Sequence, residues 1–163
     1  MPSPMIVSMA KIPALRNSPI MAKLTAALES ETVIALIMGA MDNVATIRDM
    51  YGLVSFDGPS QMVEQFLNER FGDYSARVGD TLFLILVTGE KARSAYHVAL
   101  SIRETVEAIT LDSRFPVTMH FAVTHASSTD WQTRDGFSQL LASLEALRDA
   151  QRKTNSVWVE TAP

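Results

Sequence analysis

Seven consecutive residues, Thr32 to Met38 (TVIALIM), are apolar or β-branched with no polar alternation. A strand with one wet face alternates between apolar and polar residues; one without alternation must be covered on both sides. Extended through Gly39 and Ala40 the run reaches only Met41, well short of the roughly 20 residues that a membrane helix requires. The reading is therefore a central strand between two layers, with no membrane insertion.

The flanking pattern supplies those layers. Ser18-Pro19 reads as an N-cap with proline at the first helical position, and Met21, Leu24, Ala27 and Leu28 share the inner face of a helix through about Glu29. Asp42 is placed to cap a short helix carrying Val44, Ile47 and Met50. Gly58-Pro59 opens another, with Met62, Val63, Phe66 and Leu67 inward and Gly72 at its end. Tyr74 to Val78 and Leu82 to Val87 read as antiparallel strands joined across Gly79-Asp80, a tight hairpin in which glycine supplies a positive φ. Ala95, Ala99, Ile102, Val106 and Ile109 mark a long amphipathic helix and Val117 to Thr124 a strand. Phe137, Leu140, Leu141, Leu144 and Leu147 mark a last helix before Val157-Trp158-Val159. Helices alternate with strands, so the expected fold is one α/β sandwich, a domain over 12–160 behind a flexible tail over 1–11.

Composition removes several function classes. The 163-residue chain contains no cysteine, which excludes thiolate metal ligands, thiol nucleophiles and disulfides and fits a cytoplasmic setting. The net charge of −4, with no basic stripe, argues against nucleic-acid binding. His120 and His125, five apart on a strand, face opposite sides, and His97 has no carboxylate at ligand spacing, so no metal site is expected. Met38, Met41 and Met50 are candidates for an adaptable partner groove.

Several short stretches fall in one order along these elements. They are Ile12 to Ser18 (IPALRNS), Asp42 to Gly52 (DNVATIRDMYG), Asp57, Ala76-Arg77-Val78-Gly79, Val117-Thr118 and Asn155. Together they resemble the GGDEF family, bacterial domains that condense two GTP molecules into cyclic di-GMP. The resemblance spans roughly residues 12 to 157 and implies a central mixed, mostly antiparallel sheet flanked by helices, as in nucleotide cyclases. It also implies a degenerate member. The signature stretch reads Gly79, Asp80, Thr81, Leu82, Phe83, the two metal-carboxylate positions are Ala40 and Thr81, and the phosphate-binding lysine is Gln151. Arg48 replaces the guanine-reading asparagine. Joining nucleotides requires metal held by carboxylates and cations opposite the triphosphate, so no catalysis and no cofactor are expected. Asp42, Arg48 and Asp57 remain as a vestigial nucleotide pocket. Asp57 is either a guanine acceptor or the ion-pair partner of Arg48.

What the resemblance leaves intact is an inhibitory-site motif, Arg70-Phe71-Gly72-Asp73, at the family's spacing before Gly79. Arginine can fork to guanine O6 and N7 while aspartate accepts from guanine N–H groups. Arg77 is a further candidate, and Ser101 stands where a second arginine often helps. The competing reading gives Arg70 to the helix dipole and Asp73 to a turn. Two functions follow: a non-catalytic cyclic di-GMP receptor in bacterial second-messenger signalling, or a nucleotide-independent scaffold that binds a protein partner or forms a homodimer.

Overall fold

The computed structural model describes residues 18–30, 33–52, 57–111, 116–127 and 136–159. The expected tail and residues 12–17 of the IPALRNS stretch lie outside them. The described chain runs α1 (Pro19–Ser30), β1 (Val33–Met41), α2 (Val44–Tyr51), α3 (Asp57–Phe71), a 3-10 turn (Gly72–Tyr74), β2 (Ser75–Arg77) and β3 (Leu82–Thr88). It continues through α4 (Glu90–Arg93), α5 (Ala95–Thr110), β4 (Met119–Ser127), α6 (Gly136–Ala150) and β5 (Val157–Val159).

The strands form one sheet ordered β2-β3-β1-β4-β5, with β1 at its centre. Three neighbouring pairs are antiparallel and β4 with β5 is parallel, the mixed, mostly antiparallel sheet expected. The period of two splits the unalternating β1 between two cores. Ile34, Leu36 and Met38 pack with Leu24, Leu28, Leu144 and Leu147 of α1 and α6. Ala35, Ile37 and Met41 pack with Val63, Leu67, Ala99, Ile102 and Val106 of α3 and α5. Gly39 is needed for a close approach: it pairs with Phe121 across the ladder, and a Cβ there would lie 2.5 Å from the Phe121 ring.

Several local expectations change. β1 continues to Met41 because both faces stay covered, and β4 covers 119–127 where 117–124 was expected. The residue capping α2 is Asn43, at φ 56, while the Asp42 side chain turns inward. Among the described residues the glycines at positive φ are Gly52, Gly72 and Gly89, not Gly79. Beyond β2 the Val78 N–H donates to the Leu82 carbonyl at 2.8 Å and closes a three-residue loop, Gly79, Asp80 and Thr81. A three-residue connection does not impose the positive φ of a two-residue turn on its first glycine. Met38 and Met41 are buried in opposite cores, leaving Met50 alone exposed, at 71%; the methionine groove is not formed. Among the described residues, no helix is long and apolar enough to cross a membrane.

Candidate functional site

The end of β1 meets the β2–β3 connection. Ala40 is in register with Leu82, and the Met41 N–H donates to the Thr81 carbonyl at 3.1 Å. Ala40 and Thr81, the two positions where the resemblance puts metal carboxylates, are therefore neighbours, and they offer a methyl and a hydroxyl. The carboxylate beside them is Asp80, held by two guanidiniums. Arg48 of α2 pairs with its Oδ2, and the Arg77 Nη2–H donates to its Oδ1 at 3.1 Å. Arg77 also donates through Nε to the Gly79 carbonyl at 3.1 Å and through Nη2 to the Asp80 carbonyl at 2.8 Å. That carbonyl also accepts from the Arg77 Nε–H at 3.2 Å and from the buried Ser60 hydroxyl of α3 at 2.6 Å. Arg77, 17% exposed, is folded onto the turn. Asp80 is about one-third exposed, so solvent screens these pairs to at most about 1 kcal/mol each. Their consequence is local charge: one carboxylate between two cations is a poor place for a divalent metal. Arg48 pairs with Asp80; the Asp57 side chain, its expected partner, lies outside the described residues.

Asp42 is 4% exposed and serves as a clamp. Its Oδ2 accepts from the Thr118 hydroxyl at 2.6 Å and the Asn155 backbone N–H at 2.7 Å, and its Oδ1 lies 2.7 Å from His120 Nδ1. A carboxylate can only accept, so the proton between them belongs to Nδ1. Burial alone would raise the carboxyl pKa. The hydrogen bonds from His120, Thr118 and the Asn155 amide outweigh it and hold Asp42 below its ordinary 3.8. Asn155 presents its amide from φ 50, a left-handed conformation that asparagine tolerates. One carboxylate thus joins the end of β1, the start of β4 and the α6–β5 connection. Both of its oxygens are engaged by protein donors.

The Arg70–Asp73 corner is built differently. Arg70 is the penultimate residue of α3; Gly72, at φ 56, turns the chain out of the helix and Asp73 follows in the 3-10 turn. Both side chains are exposed. The Arg70 Nη1–H donates to the Ser101 hydroxyl of α5 at 3.0 Å, and its guanidinium carbon lies 5.1 Å from the Phe71 ring centroid. Asp73 has no hydrogen bond or ion pair to a described residue. Guanidinium, hydroxyl and carboxylate therefore stand at one surface where α3, α5 and the turn meet, a set able to meet a planar donor–acceptor edge.

No protein-family model matches the sequence, and no curated protein matches it either. Solved structures do match. The active GGEEF domain of a diguanylate cyclase from Vibrio cholerae superposes at a TM-score of 0.72, with 20% identity over 88% of this chain and 96% of that one. The fold is that of a GGDEF domain. The GGDEF domain of DgcB from Caulobacter crescentus, solved in complex with c-di-GMP, gives 0.70 with 20% identity over 85% and 84% of the two chains. The FimX GGDEF domain from Pseudomonas aeruginosa gives 0.68 with 18% identity over 92% and 93%.

Sequence reasoning assigned Ala40, Thr81 and Ser101 to their neighbourhoods and had no role for Ser60, Thr118 or His120. His120 and His125 do face opposite sides: His120 meets Asp42, while His125 Nε2 lies 3.1 Å from the Ala92 carbonyl. Asp42 and His120 are 78 positions apart, and no local pattern couples such a pair.

Proposed function

We propose that the chain is a receptor for cyclic di-GMP that does not synthesise it, gripping guanine through Arg70 and Asp73 within a bacterial second-messenger circuit in the cytoplasm. The observation that carries the reading is that Arg70 and Asp73 stand exposed at one corner, with Asp73 unengaged by described residues. Arginine offers five N–H donors, and one hydroxyl is its described partner. The carboxylate and guanidinium supply the acceptor and donor set that a guanine edge requires. The absence of synthesis rests on the other corner. Among the described residues there, Asp42 is consumed by three protein donors and Asp80 by two guanidiniums, so neither fits Mg²⁺, and phosphate would meet Gln151 in place of a lysine.

Calorimetric titration with cyclic di-GMP, with GTP as control, tests the receptor. Micromolar affinity, about −8 kcal/mol, lost in Arg70→Ala, is the expected result; undiminished binding by that variant puts the site elsewhere. Incubation with GTP and Mg²⁺ or Mn²⁺ tests the second half, and any cyclic di-GMP formed refutes it.

A second reading draws on Met50, whose exposure on α2 beside Arg48 suits an anchor for a protein partner or a second copy. Occupancy of the Arg70 corner would then change what the domain binds. Light scattering with and without cyclic di-GMP, on wild type and Met50→Lys, separates the two: a monomer under every condition removes self-association.

A further inference from the structure

The β5 edge of the sheet borders an open cleft of about 280 Å³. The α5 helix contributes Tyr96, Leu100 and Arg103 to it, and the α6–β5 connection and β5 contribute Arg152, Lys153 and Trp158. Three cations thus share the cleft with one carboxylate, Asp149, which lies 3.8 Å from Arg152. Among the residues that line the cleft cations outnumber carboxylates, although Arg103 also lies 4.0 Å from Glu104 outside it. Lys153 has no ion pair to a described residue. Tyr96 and Trp158 are each 42% exposed and line the cleft beside these cations, with Leu100 and Val157 supplying apolar wall.

The wall is also unfinished in its hydrogen bonding. Arg103 donates through Nη1 to the Asn155 carbonyl at 3.1 Å, and the Asn155 amide donates to Glu107 at 3.1 Å. Arg103 Nε and Asn155 Oδ1 are buried without a partner among the described residues. Buried polar atoms lacking a partner are uncommon and each calls for an explanation. A donor and an acceptor left over on residues lining the same cleft suit a wall that rearranges around a polar guest.

We propose that this cleft binds a small aromatic phosphate, with its ring on Tyr96 or Trp158 and its phosphate against Arg152 and Lys153. Aromatic faces attract planar rings by stacking, and lysine and arginine bind phosphate by charge and hydrogen bonding. Size limits the guest. Sites for drug-sized ligands run from roughly 300 to 1,000 Å³, so this cleft takes one ring system with one phosphate, the dimensions of a nucleoside monophosphate, and not a cyclic dinucleotide. The proposal is independent of the Arg70 corner.

The test is a titration of the full chain with 5′-AMP, followed by amide chemical shifts, with adenosine and inorganic phosphate as separate probes. Arg152 and Lys153 are exposed, so the charge reversal Arg152→Glu/Lys153→Glu leaves the core intact. The expected result is 5′-AMP binding with Kd below about 1 mM, weakened about tenfold or more by the double reversal and by removal of either the phosphate or the base. Tyr96→Ala or Trp158→Ala weakens it similarly and identifies the stacking ring. No shifts at about 5 mM 5′-AMP, or equal binding by the double variant, overturns the proposal. So does equal binding of adenosine, of phosphate alone, or of both ring variants.

Discussion

Two Arg-x-Gly-Asp sequences lie seven residues apart in this chain, Arg70-Phe71-Gly72-Asp73 and Arg77-Val78-Gly79-Asp80, and they end in opposite states. Arg77 and Asp80 bind each other across a turn and add Arg48, Ser60 and the backbone to the arrangement. Arg70 and Asp73 straddle a helix end where Gly72, at φ 56, redirects the chain, and their side chains stay exposed. Residue type and spacing are the same. Backbone conformation decides whether the charges are engaged within their own turn or left exposed.

The sharpest way to break this comparison is to open the closed region. Replacing Asp42 by Asn leaves an amide facing three donors with one acceptor oxygen, and should cost about 3 kcal/mol of stability by urea denaturation. The loss should depend on pH. Because the folded Asp42 pKa lies below its ordinary 3.8, its contribution is complete above that value and disappears as pH falls through the lower folded one. Wild type and Asp42→Asn should therefore converge in acid; a constant difference from pH 7 to pH 2 would show that the ionised carboxylate is not the stabilising form.

Next in size is Arg70→Ala, expected to weaken cyclic di-GMP about 10- to 100-fold, the worth of a bidentate fork to a base, while moving stability by less than about 0.5 kcal/mol, as a surface change does. Loss of both together would mean that Arg70 holds the fold. Ser101→Arg puts a second guanidinium beside Arg70 and should tighten binding about threefold to tenfold, the return on one exposed charge-assisted contact; weaker binding would show that the Ser101 hydroxyl is needed to orient Arg70. Smallest is Asp80→Asn, which removes two partly exposed ion pairs and should shift stability by less than about 1 kcal/mol with cyclic di-GMP affinity unchanged. A change in affinity there would mean that the two corners are coupled.

The layers of the fold were legible because a seven-residue run without alternation has few places to go, and the helices around it carry clear apolar faces. The resemblance set the sheet type and put Ala40 at the end of the first strand and Thr81 in the hairpin, two places that the register brings together. Local chemistry was harder to read. Asp42 looks like a helix cap in sequence because aspartate before a helix usually is one; its burial against Thr118, His120 and the Asn155 amide depends on contacts far along the chain. Arg77 looked available for the same reason, since no pattern marks a guanidinium folded onto its own turn. Short elements such as α4 (Glu90–Arg93) and β2 (Ser75–Arg77) carry too few residues to show a period.

The central claim, an open corner at Arg70 and a closed one at Asp80, is tested most directly by mapping backbone amide shifts as cyclic di-GMP is added. Perturbations should gather on residues 70 to 75 and around Ser101, with Ala40, Arg48 and the 79–81 connection undisturbed. Shifts centred on Ala40 and Thr81, with Arg70 and Asp73 silent, would contradict it.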